Sequence, residues 1–216
     1  MLELRTYTYA EMSALFGTRD TQGIKRRLSR YGIKYTVEGR GALVKFNIKT
    51  ISDPFKVFCI IDLGFRAQTN FEKLRYFFYY LLNDESFLEM PRETMELRLK
   101  ADDHTLTRQT IQTYLDRLSA ADLINQQTKV YRYYFAKGTT LREADKDEYT
   151  KAWSEYWQHK DEGFTAGEAI AFMCANYGGV ARKQQIIEIN GIYNDTINKI
   201  NEMVCACIEA DMGKND

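Results

Sequence analysis

Thr21-Gln-Gly-Ile-Lys-Arg-Arg-Leu-Ser-Arg-Tyr-Gly32 is the most informative stretch of this chain. Ile24, Leu28 and Tyr31 recur at steps of four and three, the period of one helical face. Lys25, Arg26, Arg27 and Arg30 fall between them. A helix over about 22–31 would bury the apolar stripe and present four cations off it. Thr21 is placed to cap its start and Gly32 to stop it. Just upstream, Thr8-Tyr-Ala-Glu11 has capping-box spacing, and Met12, Leu15 and Phe16 share a face that Gly17 ends. Two helices joined by a short turn containing Arg19 are predicted. Downstream, Ile33 to Val37 alternates like a half-buried strand, Glu38-Gly-Arg-Gly41 signals a turn, and Ala42 to Ile48 alternates again. That is a hairpin with Arg40 at its tip, flanked by glycines that let a backbone come close.

Helix, short turn, basic helix, hairpin: residues 6–50 resemble the winged helix-turn-helix of excisionase-like and MerR-like DNA-binding modules. The resemblance implies that the helix at 22–31 reads duplex DNA and that the hairpin is a wing on the minor groove or flanking phosphate. Guanidinium and ammonium groups are what read phosphates and guanine edges. Arg19, Lys25, Arg26, Arg27, Arg30 and Arg40 are the candidate contacts.

The middle of the chain repeats the theme. Pro54 ends the first unit, and Phe55 to Phe65 reads as a buried strand or connecting helix. Asn70 can cap a helix over Phe71 to Leu82 that is aromatic or apolar nearly all round, the mark of a core helix. Pro91 suits the first turn of a helix to about Lys100. Thr107 can cap a helix over Arg108 to Ala120 with Ile111, Leu115 and Leu118 as its stripe, and Lys129 to Phe135 is strand-like. The run Thr107 to Ala136 resembles the third helix and wing of bacterial winged-helix proteins, among them transcription factors, plasmid replication initiators and phage replication proteins. The resemblance covers about residues 70–136. It implies that Thr107, Arg108, Gln109 and Gln112, with Thr113, face a groove, and that Lys129 and Arg132 sit on the wing. Glutamine can pair with adenine through two hydrogen bonds. Asp102, Asp103 and Asp116 lie near the same surface and oppose phosphate contact.

From Gly138 on, three helices are predicted. Leu141 to Lys160 carries an aromatic face of Tyr149, Trp153, Tyr156 and Trp157. Thr165-Ala-Gly-Glu168 is a second capping box, opening a helix that Gly178-Gly179 ends. A long helix over about 181–210 carries Ile186, Ile189, Tyr193, Ile197, Ile200, Val204 and Ile208 at steps of three and four, nearly coiled-coil spacing. Such a stripe serves either a homodimer or packing onto the two preceding helices.

Composition bounds the rest. The chain has 216 residues, 44% hydrophobic and 28% charged, in the range of a globular protein of one large or several small domains. Its net charge is zero, but residues 1–50 hold ten Lys+Arg against four Asp+Glu, and residues 138–216 hold eight against fourteen. A basic front and an acidic back localise an interaction surface. No stretch reads as a transmembrane span or a secretory signal. Scattered cysteines (Cys59, Cys174, Cys205 and Cys207) lack zinc-site spacing, and reduced thiols in a cytoplasmic protein are expected. Neither His104 nor His159 has a ligand-spaced partner, and no phosphate loop, nucleophile elbow or His-Glu-x-x-His motif occurs. No catalytic residue, metal or cofactor is expected.

The expectation is thus mainly α with small β-hairpin wings: two tandem winged helix-turn-helix units, 1–65 and 66–137, and an acidic helical region, 138–216. The expected role is sequence-specific binding of duplex DNA by a transcriptional regulator or replication accessory protein of a phage or mobile element. The alternative is a phage-type inhibitor or adaptor, such as an anti-defence protein, that holds a host protein complex and regulates its own operon.

Overall fold

The computed structural model describes residues 1–191 and 194–212, with residues 42, 126–129, 194 and 210–212 described by backbone alone. The chain forms two compact units. One comprises Met1–Leu74 together with the chain from Asn198 on, the other Arg75–Ile197.

The first unit begins with β1 (Thr6–Thr8), α1 (Tyr9–Phe16) and α2 (Thr21–Arg30). It continues through β2 (Ile33–Glu38), β3 (Lys45–Ile51) and α3 (Pro54–Ile61). The strands form an antiparallel sheet in the order β1-β3-β2, with Phe46 opposite both Tyr7 and Val37. Met12 and Phe16 of α1 and Ile24 and Leu28 of α2 are buried with Phe46, Ile48 and Val57. The capping box forms as its spacing requires: Glu11 N donates to Thr8 Oγ1 at 3.3 Å, and Thr8 N donates to Glu11 Oε2 at 2.7 Å. Asp20, not Thr21, caps α2, accepting from the amides of Gln22 at 3.0 Å and Gly23 at 2.7 Å. A carboxylate there answers two orphan N–H groups and the helix dipole at once.

The Thr8 amide and hydroxyl, with Arg5, hold the Glu11 carboxyl down at about 2, from an ordinary 4.5. A carboxyl lowered by folding stabilises the native state above its unfolded value, and that contribution fades as pH falls through the folded one. Stability is therefore expected to decline between pH 4.5 and about 2, and the Glu11→Gln variant to decline less steeply. Denaturant melts across that window check it, and parallel profiles would contradict it.

The second unit takes in most of α4 (Phe71–Asn83), then α5 (Arg92–Ala101), α6 (Arg108–Ala120), β4 (Ile124–Lys137) and β5 (Thr140–Ala144). It ends with α7 (Lys146–Asp161), α8 (Ala166–Tyr177) and β6 (Val180–Ile189). Phe77 is its aromatic hub, with ring centroids 5.4 Å from Tyr114 and 5.9 Å from Phe87. The antiparallel sheet runs β5-β4-β6. A smaller cluster of Phe135, Ala152, Met173 and Ala181 joins the sheet to α7 and α8. The capping box at Thr165 and Glu168 and the Thr107 cap of α6 both form.

Helix predominates, but the chain is mixed α and β with two small antiparallel sheets. Of the two readings of Phe55 to Phe65, the helix is the one that forms: α3, started by Asp53 and Pro54. Three expectations are corrected. The first hairpin is interrupted by a 3-10 turn at Gly41–Leu43, so its second strand begins only at Lys45. The region from 138 is not three helices: Thr140–Ala144 pairs with one edge of β4 and Val180–Ile189 with the other, Phe135 lying opposite both Arg142 and Ala181. A boundary at 137/138 therefore falls inside a sheet. The last helix, α9 (Asn194–Met212), is correspondingly shorter, and from Asn198 it belongs to the first unit, with Ile200, Val204 and Ile208 buried. Tyr193 lies outside the described residues.

Candidate nucleic-acid interface

The core contacts of α2 fix which residues it turns outward. With Ile24 and Leu28 fully buried, the 100° step per residue sends Arg26 and Arg30 to the opposite side and Arg27 and Lys25 to opposite flanks. Arg26, with its side chain 80% exposed, stands 3.5 Å from Asp20. Arg27 donates to the carbonyl of Phe16 at the end of α1, where the helix dipole favours a cation. Among the described residues Lys25, Arg30 and Arg40 carry no ion pair.

Arg26, Arg27 and Arg30 line one open concavity of about 480 Å³ with Thr18, Asp20 and Gly23. Gly23 permits the close turn that forms it, since a Cβ there would lie 3.1 Å from Asp20 Oδ2 and 3.2 Å from Thr18 Oγ1. Asp20 is the one carboxylate among these lining residues, and both its oxygens already accept backbone amides. The surface thus offers three guanidinium groups with their donors largely unspent. Thr18, Asp20 and Gly23 were not singled out from the sequence; the Asp-x-x-Gly spacing at a helix start is the signal that could have found them.

Three other expected contacts lie apart from this concavity. Arg19 is exposed in the α1–α2 turn, its carbonyl accepting the Tyr9 hydroxyl. Lys25 is half-buried on the far flank of α2. Arg40 is exposed at the hairpin tip beside Gly39 at φ 84°. Only glycine fits position 39, where a Cβ would lie 2.5 Å from the carbonyl oxygen of Leu43. Leu43, 80% exposed, shares the tip.

The second unit's expected contacts are differently placed. Thr107 caps α6. Arg108, which follows it, is paired with Glu96 at 3.2 Å and Glu93 at 3.9 Å. Gln112 donates to Asp116 at 2.5 Å, and the exposed Gln109 accepts the Thr113 hydroxyl on its carbonyl at 2.9 Å. Arg132 is paired with Glu89. The side chain of Lys129 lies outside the described residues. Carboxylates thus already occupy the two arginines on this surface. By count the first unit holds fifteen Lys+Arg against eleven Asp+Glu, and the second fifteen against nineteen.

His104 stacks on Tyr76 at 3.3 Å, and His159 Nδ1 lies 2.7 Å from the Glu155 carbonyl. Among the described residues no group of three or more His, Cys, Asp or Glu is placed to hold a metal ion, and no helix is long and apolar enough to cross a membrane. Comparison with known proteins finds no match: no family model, no curated protein and no solved structure is similar to the chain.

Proposed function

We propose that this protein binds duplex DNA through its first unit, with α2 in the major groove and the β2–β3 hairpin on the flanking backbone as a wing. The observation that carries the reading is the grouping of Arg26, Arg27 and Arg30 around one open surface on a helix held rigidly by its core face and cap. The helix-helix-hairpin order of α1, α2, β2 and β3 fits a winged helix-turn-helix, and a helix has the width that the major groove admits. Arg40 and Arg19 extend the cationic surface, and Lys25 supplies a flank. A role in transcription or replication control of a phage or mobile element follows from such binding. The order α4, α5, α6, β4 and β5 fits a second winged unit, one in which Arg108 and Arg132 are already ion-paired.

Fluorescence anisotropy with a mixed-sequence duplex at several salt concentrations tests this. Binding should weaken linearly in log salt, by about 0.9 in slope for each phosphate contact. Absence of binding at low salt would sink the reading. Replacing Arg108 and Arg132 by alanine is expected to change duplex affinity by less than about threefold, well under the 1–3 kcal/mol of a true base contact. A tenfold loss would move the interface to the second unit.

A second reading is an adaptor that holds a protein partner through the second unit. It draws on Trp157, Phe164 and Phe172, exposed by 59, 43 and 42% on or between α7 and α8, since aromatic side chains are enriched at such contacts.

A further inference from the structure

The second unit contains a cavity of about 170 Å³ between the α4–α5 connection and strands β4 and β6. Its floor and its mouth differ in chemistry. Tyr134 and Gln184 form the floor, 6% and 4% exposed. Gln184 Nε2 is buried with no hydrogen-bond partner, and the buried Tyr134 hydroxyl accepts from the Arg132 guanidinium. A buried polar group without a partner is costly, so native proteins seldom keep one without use. Arg132 stands beside them, and its guanidinium has five N–H donors, more than Glu89 can take. The mouth carries the exposed carboxylates Glu85, Glu89 and Glu188. Burial lifts the Tyr134 hydroxyl above its ordinary value, which keeps its proton in place.

The volume is below the roughly 300–1,000 Å³ of pockets for drug-sized ligands and holds about five waters at about 30 Å³ each. A small ligand is required. A plain anion would meet three carboxylates against one guanidinium at the mouth. A plain cation would leave the floor donors unanswered. A molecule with a carboxylate at one end and an ammonium at the other satisfies both.

We propose that this cavity binds a small zwitterion of the free amino acid type, its carboxylate on Tyr134, Gln184 and Arg132 and its ammonium toward Glu85 and Glu188. The site lies wholly within the second unit and does not depend on the DNA-binding reading. Were both correct, it would make the protein a candidate for control by a metabolite.

Thermal melts of the full chain, with each standard amino acid in turn and with sodium acetate and methylammonium chloride as one-ended controls, test the site. A saturable rise in Tm is expected with at least one amino acid and with neither control. Tyr134→Phe removes the hydroxyl, which Arg132 also contacts, and keeps the buried ring in place. Its affinity for the amino acid should fall about tenfold or more, the worth of one hydrogen bond to a charged group. Gln184→Met gives a second, independent loss should the first variant fold poorly. Three results overturn the proposal: no amino acid raises Tm, a one-ended control matches the effect, or both folded variants respond like the parent.

Discussion

Replacing Arg26 and Arg30 together by alanine is expected to remove duplex binding and to leave the fold untouched. A guanidinium contact to a base edge is worth about 1–3 kcal/mol, and about 1.4 kcal/mol is tenfold in affinity. Two such losses amount to about thirtyfold or more. If either contact is to phosphate, the log-log salt dependence should also become shallower, by about one for each phosphate lost. Both side chains point away from Ile24 and Leu28, and exposed substitutions of this kind usually change stability by less than about 0.5 kcal/mol. Arg27→Ala should behave differently, because Arg27 also ties α2 to the Phe16 carbonyl; it should cost stability as well as affinity. Anisotropy and thermal melts on the same preparations separate the two effects. Undiminished affinity in a folded Arg26→Ala/Arg30→Ala protein would rule out α2 as the reading helix.

A large stability effect from a single added methyl group is expected at Gly179. The residue is buried where α8 turns into β6, and a Cβ there would lie 2.7 Å from the carbonyl oxygen of Ala136 and 2.9 Å from its nitrogen. Those are backbone atoms of the central strand, and Ala136 is paired with Val180. They cannot retreat without opening the β4–β6 ladder. Gly179→Ala should therefore cost about 3 kcal/mol, the upper end for overpacking. Its neighbour is the control. Gly178 sits at φ 79° with open space around it, so Gly178→Ala meets only left-handed strain of about 1–2 kcal/mol. Chemical denaturation of the two variants measures the difference. Equal costs would mean that β4 and β6 have room to part.

The parts of the fold legible in the sequence were those whose partners lie within four residues. Both capping boxes, at Thr8 with Glu11 and Thr165 with Glu168, are of this kind, as is the Thr107 cap. The stripe of Ile24, Leu28 and Tyr31 was legible because steps of four and three together match only a helix. The region 181–189 was misread because its period does not discriminate. Ala181, Gln184 and Ile187 are the buried residues of β6, a three-residue step in a strand whose register with β4 shifts between Gln126 and Tyr131. Beside Ile197 and Ile200 further on, such spacing reads as one continuous helix. Only the partner strand, fifty residues away, distinguishes the two.

The candidate interface was half legible. Which arginines face outward followed from the stripe. That Arg27 is tethered to the preceding helix, and that Glu93 and Glu96 claim Arg108, did not, because those partners are joined only by tertiary folding. The nearby aspartates drew notice on sequence proximity, but the glutamates on α5 neutralise Arg108. The Tyr134 and Gln184 floor left no trace in the sequence, since its two halves come from strands that meet only in the folded sheet.

The first unit is discontinuous along the chain, and its remaining piece brings in Ile200, Val204 and Ile208. A ribosome adding about 5–20 residues per second would release the basic helix and then take roughly 6–25 seconds more to make the intervening unit. Through that interval the amino-terminal module lacks part of its hydrophobic interior. A lesion confined to the last helix would consequently be a lesion of the unit made first.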